Sequence, residues 1–255
     1  MVELKSQAEI DAMRAAGRVV AIALQQMRKH ADVGVRLTEL DQIARAVLTE
    51  HGATSPFLGY QPSFAHTPFP ATICASLNDA ALHGIPTRKR LNDGDLVSLD
   101  FGATLNGWTG DSAISFTVGN PHPDDVRLIE TAERALVAGI AAARPGGRLG
   151  DVSGAIGAVA RAAGFGLHTD FGGHGVGRTM HESPSVPNDG RPGRGLKMEP
   201  GLVIAIEPWF MAGGHDSYRV DRDGWTLRSG DGSRAAHVEH TVAITAAGPQ
   251  ILTAL

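Results

Sequence analysis

Apolar positions near the amino end recur at helical spacing: Ile10, Met13, Ala16, Gly17, Val20, Leu24 and Met27 share one face. Ser6 with Glu9 three residues later forms a capping-box pattern and predicts the helix start just ahead of that face. A second helix is expected from Thr38 through Leu40, Ile43, Val47 and Leu48 to a stop at Gly52. Residues 57–70, rich in Pro and Ser, read as loop. Apolar runs then predict strands over 73–77, 96–101 and 108–118, the last two joined through Asn106-Gly107, a strong hairpin turn signal.

The pattern then restarts. Val126, Ile129, Leu136 and Ile140 mark a third helix, and Arg148-Leu149-Gly150-Asp151-Val152 opens a fourth that Gly164 ends. Gly34-Val35-Arg36-Leu37 matches Gly146-Gly147-Arg148-Leu149 at an offset of 112, and the same offset carries Leu24 to Leu136, Leu40 to Val152 and Gly52 to Gly164. Further strands are expected around 203–210 and 238–244. The chain therefore reads as one α+β domain over 1–255 containing two related halves, about 10–118 and 122–247. Halves paired about a pseudo-twofold axis would place a shared site between them.

Composition narrows the class. A chain of 255 residues, 42% hydrophobic with net charge -4, has the apolar content for a core and excludes a disordered protein. Scattered Lys and Arg give no reason to expect DNA binding. The single cysteine, Cys74, excludes an internal disulfide framework and a cysteine-based zinc site. No secretory signal and no run of ~20 apolar residues is present, so a cytoplasmic monomer without membrane contact is expected.

The chemistry begins at the hairpin. With Asn106 and Gly107 as turn residues, opposed partners have numbers summing to 213, so Asp111 faces Gly102 and Asp100 faces Ala113. Side chains alternate along a strand, which puts Asp100 and Asp111 on one face as diagonal neighbours roughly 7–8 Å apart. An arbitrary aspartate pair in a hairpin more often caps a turn and meets solvent. Here both sit in apolar strand sequence, where converging carboxylates call for a cation. Glu207 ends the apolar run Leu202-Val203-Ile204-Ala205-Ile206, and Glu239 lies in His237-Val238-Glu239-His240. His174 is flanked by Gly172, Gly173 and Gly175, which permit close backbone approach. Four carboxylates and one imidazole exceed what one structural zinc needs and suit a pair of divalent ions that activates a water as nucleophile. His83 and His181 are each as readily structural when taken alone; beside such a pair they are candidates to hydrogen-bond the developing oxyanion or the scissile amide.

Taken together, residues 78–86, 93–111, 172–184, 199–208, 223–225 and 239–241 resemble the type I methionine aminopeptidases, small members of the pita-bread metallopeptidases. The resemblance runs from about Ile10 to the carboxyl end. It implies a pita-bread fold with two pseudosymmetric halves and a central antiparallel sheet backed by helices. It implies removal of the first methionine from nascent polypeptides, preferentially before a small, uncharged second residue, and a transient ribosome contact. The implied cofactor is two divalent ions, Co, Mn, Fe or Zn. By resemblance Asp111 and Glu239 bridge them, Asp100 chelates the second, and His174 and Glu207 complete the first. Glu207 also handles the proton of the attacking water, His83 and His181 contact substrate and transition state, and Phe69, Cys74 and Trp225 line the methionine pocket, with Tyr60 as a neighbour.

The chain departs from the family pattern in three places. Met180 stands where an aromatic precedes the second histidine, the loop 59–69 is longer, and His237 replaces a polar amide two residues before Glu239. Glu207 follows His181 by 26 residues, which leaves no room for the type II insertion. Peptidases of this fold that cleave X-Pro bonds carry an additional amino-terminal domain. Non-catalytic relatives lose metal ligands. The glycines of 173–177 lack the strand-to-helix context of a phosphate loop.

Overall fold

The first helix, α1 (Gln7–His30), starts where its cap dictates: Ser6 Oγ accepts from the Glu9 backbone N–H, and the Glu9 carboxylate accepts from the Ser6 N–H. This is a computed structural model, and it describes residues 2–255. Helix α2 (Leu37–Glu50) follows, then the strands β1 (Cys74–Leu77), β2 (Ala80–Leu82), β3 (Leu96–Leu105) and β4 (Trp108–Thr117). Helices α3 (Pro123–Ala142) and α4 (Leu149–Ala163) come next. The short strands β5 (Gly173–Gly175), β6 (Glu182–Val186), β7 (Val203–Ile206), β8 (Trp209–Met211), β9 (Tyr218–Val220) and β10 (Leu227–Ser229) follow them. The chain closes through β11 (Ala235–His237), β12 (His240–Thr245) and β13 (Gly248–Ile251).

The β3–β4 hairpin has the expected register: Leu105 pairs with Trp108, Gly102 with Asp111 and Asp100 with Ala113. Asn106 and Gly107 hold φ of 50° and 76°, the two positive values that a tight hairpin turn of this hand requires. Strand β3 runs four residues beyond the expected end at Phe101. Two other strands differ from expectation. The run 203–210 divides into β7 and β8 at Glu207-Pro208, because proline has no N–H to give a ladder. The expected strand at 238–244 starts two residues late, as β12 at His240; the separate strand β11 ends at His237, leaving Val238 and Glu239 in a break between them. Strands β7 and β12 belong to the sheet β13-β12-β7-β5-β6, whereas β8 and β11 form a separate two-stranded sheet.

The layers follow from the apolar faces. Val20, Leu24 and Met27 of α1 and Leu40 and Val47 of α2 bury against Val97, Leu99 and Phe101 of β3. Leu128, Ala132, Val152 and Ile156 of α3 and α4 bury against Ile204, Ile206, Val242 and Ile244. Helix α1 lies directly on β4, where a Cβ on Gly110 would come within 2.9 Å of Gly17 Cα, and a Cβ on Gly17 would strike the Leu252 carbonyl oxygen, so neither position admits a side chain. The two layers exchange backbone bonds beside the hairpin: Glu239 N–H donates to Ala113 O at 3.0 Å and Ala113 N–H to Glu239 O at 3.4 Å. Among the described residues no helix is long and apolar enough to cross a membrane.

Candidate metal centre

That exchange sets Glu239 beside the hairpin aspartates. Asp111 and Asp100 enter from β4 and β3, Glu207 and Glu239 from the two strand breaks, and His174 from the middle of β5. The breaks matter because a residue between ladders is free of the strict alternation of a strand and can turn its carboxylate inward. The glycines around His174 act as the sequence suggests. A Cβ at Gly173 would strike the Ala205 carbonyl oxygen, and one at Gly175 the Ser183 carbonyl oxygen. β5 therefore fits tightly between β6 and β7, with His174 itself buried.

Asp111, His174 and Glu239 each offer a ligand atom, all within 4.8 Å of one another. His174 Nε2 lies 3.4 Å from Glu207 Oε1, and His237 Nε2 lies 3.6 Å from Glu207 Oε2 and 4.0 Å from Glu239 Oε2. Buried Asp100 Oδ1, Asp111 Oδ1 and Glu239 Oε1 have no hydrogen-bond partner among the described residues. Burial, then the neighbouring carboxylates, push Asp100 and Glu239 well above the usual carboxylate range; burial and Glu207 push Asp111 up to about 8. Burial also raises Glu207, but His237, His174 and His181 outweigh it and its net shift is downward. Such a cluster cannot ionise fully without added positive charge. Its donors, oxygen-rich with one imidazole, fit divalent cations.

The cage opens into a cavity of ≈ 520 Å³. One wall is apolar and buried: Phe57, Phe69, Cys74, Met180 and Trp225 pack together, with Phe69 and Trp225 edge-to-face at 5.0 Å. Met180 thus occupies part of that wall. The Trp225 indole donates to Thr67 O at 3.0 Å, which ties the wall to the loop 59–69. Burial raises the Cys74 thiol well above its ordinary range, with Asp100 adding to it, so this sulfur is an uncharged pocket surface. His83 and His181 line the same cavity. His83 holds φ of 56° ahead of Gly84, an uncommon backbone state for a side-chain-bearing residue that aims its ring into the cavity. His181 lies against His174, ring centroids 4.2 Å apart. Burial lowers His83 to about 4 and His181 to about 3, which makes both neutral near pH 7.

Every candidate site residue named from the sequence therefore lines one cavity. The strand breaks at Glu207 and Glu239 were not expected. Nor were Phe57, Phe64 and Phe171 as cavity residues, since loop sequence has no periodicity to mark which side chain turns inward. Thr241, which holds the Asp111 backbone, had no signal beyond its place two residues after Glu239.

The profile of metallopeptidase family M24 matches residues 11–246. Methionine aminopeptidase 1 of Mycobacterium tuberculosis is 49% identical over 260 residues, covering 99% of this chain and 95% of its own. The crystal structure of the Thermotoga maritima methionine aminopeptidase superposes with a TM-score of 0.95 at 36% identity, covering 100% of both chains. The Pyrococcus furiosus prolidase shares the fold at 22% identity, with a TM-score of 0.76 over 99% of this chain and 65% of its own.

Proposed function

Because this chain belongs to metallopeptidase family M24 and is a metal-dependent enzyme that removes N-terminal methionine, we propose that Asp100, Asp111, His174, Glu207 and Glu239 hold a pair of divalent ions beside a methionine pocket. Asp111 and Glu239 would be shared by the two ions, Asp100 would serve one, and His174 and Glu207 the other. The observation that carries this reading is the convergence of Asp111, His174 and Glu239 at the floor of an aromatic cavity.

When bound, such ions supply Lewis acidity toward the scissile carbonyl and make water a nucleophile near neutral pH. The chain's own residues do the rest. The thioether of methionine fills the wall formed by Phe69, Cys74 and Trp225, where sulfur and aromatic surface attract. Glu207, the one cage carboxyl with a downward shift, takes the proton of the attacking water at a carboxylate oxygen. His83 and His181, neutral and facing the cage, donate ring N–H groups to the carbonyl oxygen or amide as charge develops there. The enclosed wall keeps bulk water from the reacting bond.

A small, uncharged second residue is favoured because the next side chain must pass the His83 and His181 side of the cavity. Mn, Fe, Co and Zn all suit the donors. The substrate is the amino end of nascent chains, met in the cytoplasm by a monomer through transient contact with the ribosome.

The test uses metal-stripped protein with Met-Ala-Ser and with an X-Pro peptide, restoring Mn, Co, Fe or Zn in turn. Metal-restored release of methionine from Met-Ala-Ser alone is expected. Cleavage confined to the X-Pro peptide would retain the metal site and overturn the substrate. Two ions per chain by titration calorimetry is the expected stoichiometry, and one would overturn the paired site.

A further inference from the structure

The loop 57–69 brings one aromatic ring to each cavity histidine. Tyr60 lies against His181 at 5.3 Å between centroids. Phe64 stacks on His83 at 6.3 Å with 14° between planes, and meets Phe171 and Trp225 edge-on at 5.7 Å each. Phe57 and Phe69 of the same loop are buried, but Phe64 is 47% exposed.

This ring is held in place rather than left loose. Gly59 N–H donates to Phe69 O at 2.9 Å and Phe69 N–H to Tyr60 O at 2.8 Å, closing the loop at its base. Ala65 N–H donates to Pro62 O at 3.0 Å and turns the tip, while Ala65 itself is buried against the pocket wall. Trp225 anchors Thr67 O from the far side. Keeping an apolar ring fixed and half in water costs free energy that is recovered only when something apolar covers it.

Its position says what covers it. The methionine side chain belongs in the buried wall, and the scissile bond beside His83. A ring that touches both His83 and Trp225 from the solvent side stands over the path by which the peptide leaves the site. The exposed carboxylate of Asp170 also lines this mouth. We propose that Phe64, with Phe171, determines specificity beyond the second residue by forming an apolar contact for the side chain of the third, favouring an aliphatic residue and disfavouring an acidic one. This rests on the methionine-removing reading above.

The test compares metal-loaded wild type, Phe64→Ala and Phe64→Leu on Met-Ala-Leu, Met-Ala-Gly and Met-Ala-Asp amides. For the wild type, KM for the leucine peptide is expected about fivefold below that for the glycine peptide, the effect of covering one aliphatic side chain. The aspartate peptide should be poorest. In Phe64→Ala the leucine-to-glycine KM ratio is expected to approach one, with Phe64→Leu between. Because each ratio is taken within one variant, partial unfolding does not alter it. A wild-type ratio near one, or a ratio retained in Phe64→Ala, would overturn the inference while methionine release upholds the activity. Failure of wild type to release methionine from any of the three would overturn both.

Discussion

Thr241 and Asp111 hold each other across the two halves of the molecule: the Asp111 N–H donates to Thr241 Oγ1 at 2.9 Å, and the Thr241 hydroxyl donates to Asp111 O at 2.7 Å. Both residues are buried. Strand β4 is thus tied to β12 at the residue whose carboxylate enters the cage. Thr241→Val keeps the shape but removes both bonds and leaves the Asp111 N–H and C=O unsatisfied. We expect a loss of about 1–3 kcal/mol by denaturant titration, together with weaker metal affinity. Thr241→Ser retains the hydroxyl and should recover most of both. Equal stability of the valine variant and wild type would refute the coupling.

Asp111→Asn separates the two roles of the cage carboxylates. Changes around metal ligands cost about 10–100-fold in affinity or activity, so replacing the carboxylate proposed to serve both ions is expected to exceed that loss. In the metal-free protein the effect should reverse, because buried, unpartnered carboxylate oxygens oppose folding. Metal-free Asp111→Asn should therefore melt higher than metal-free wild type, by roughly 2–4 °C for each kcal/mol of relief. Added Mn or Co should raise the melting temperature of wild type and leave the variant unmoved. A variant that gains stability from metal as wild type does would show that Asp111 is no ligand.

Much of this arrangement is legible in the amino-acid sequence, for local reasons. Asn106-Gly107 specifies a turn, the turn specifies the register, and the register puts Asp100 and Asp111 on one face. The Ser6–Glu9 cap and the 112-residue offset are likewise local or self-similar patterns. The apolar runs around Glu207 and Glu239 tell only that they are buried, not that each run changes ladder partway. Phe64 sits among loop residues whose direction depends on Trp225, distant in the chain. Lys5 and Glu182 form a pair across 177 residues with no sequence pattern linking them.

The two cavity histidines should differ from the cage residues in what their loss does. His181→Ala and His83→Ala remove hydrogen-bond donors needed as charge develops, so kcat should fall by about 100-fold or more while metal binding persists. Steady-state kinetics beside calorimetric metal titration separates the two effects. Equal kcat in both variants and wild type would remove these histidines from the chemistry. Loss of metal binding with kcat would instead make them structural supports of the cage.

The ion pair of Lys5 and Glu182 gives a pH signature away from the metals. Lys5 Nζ lies 2.8 Å from Glu182 Oε2, with side chains only 2% and 18% exposed. Glu182 Oε1 also accepts from the Thr179 N–H, so the pair fastens the turn just before His181 to the amino-terminal segment. Burial pushes the Glu182 carboxyl up, but the Lys5 ammonium and the backbone N–H donors outweigh it and hold it below its ordinary 4.5. A carboxyl depressed in the folded state contributes stability that is complete above the unfolded pKa and is lost as pH falls through the folded one. Lys5→Met should therefore cost about 1–3 kcal/mol at pH 7, less than for a wholly buried pair because Glu182 touches solvent. That difference from wild type should persist down to about pH 5 and shrink below 4.5 as Glu182 takes up its proton. Denaturant titrations at pH 7, 5 and 3.5 measure it. A difference that stays constant across that range would mean that Lys5 contributes by packing its methylene stem against Gly177 rather than by charge.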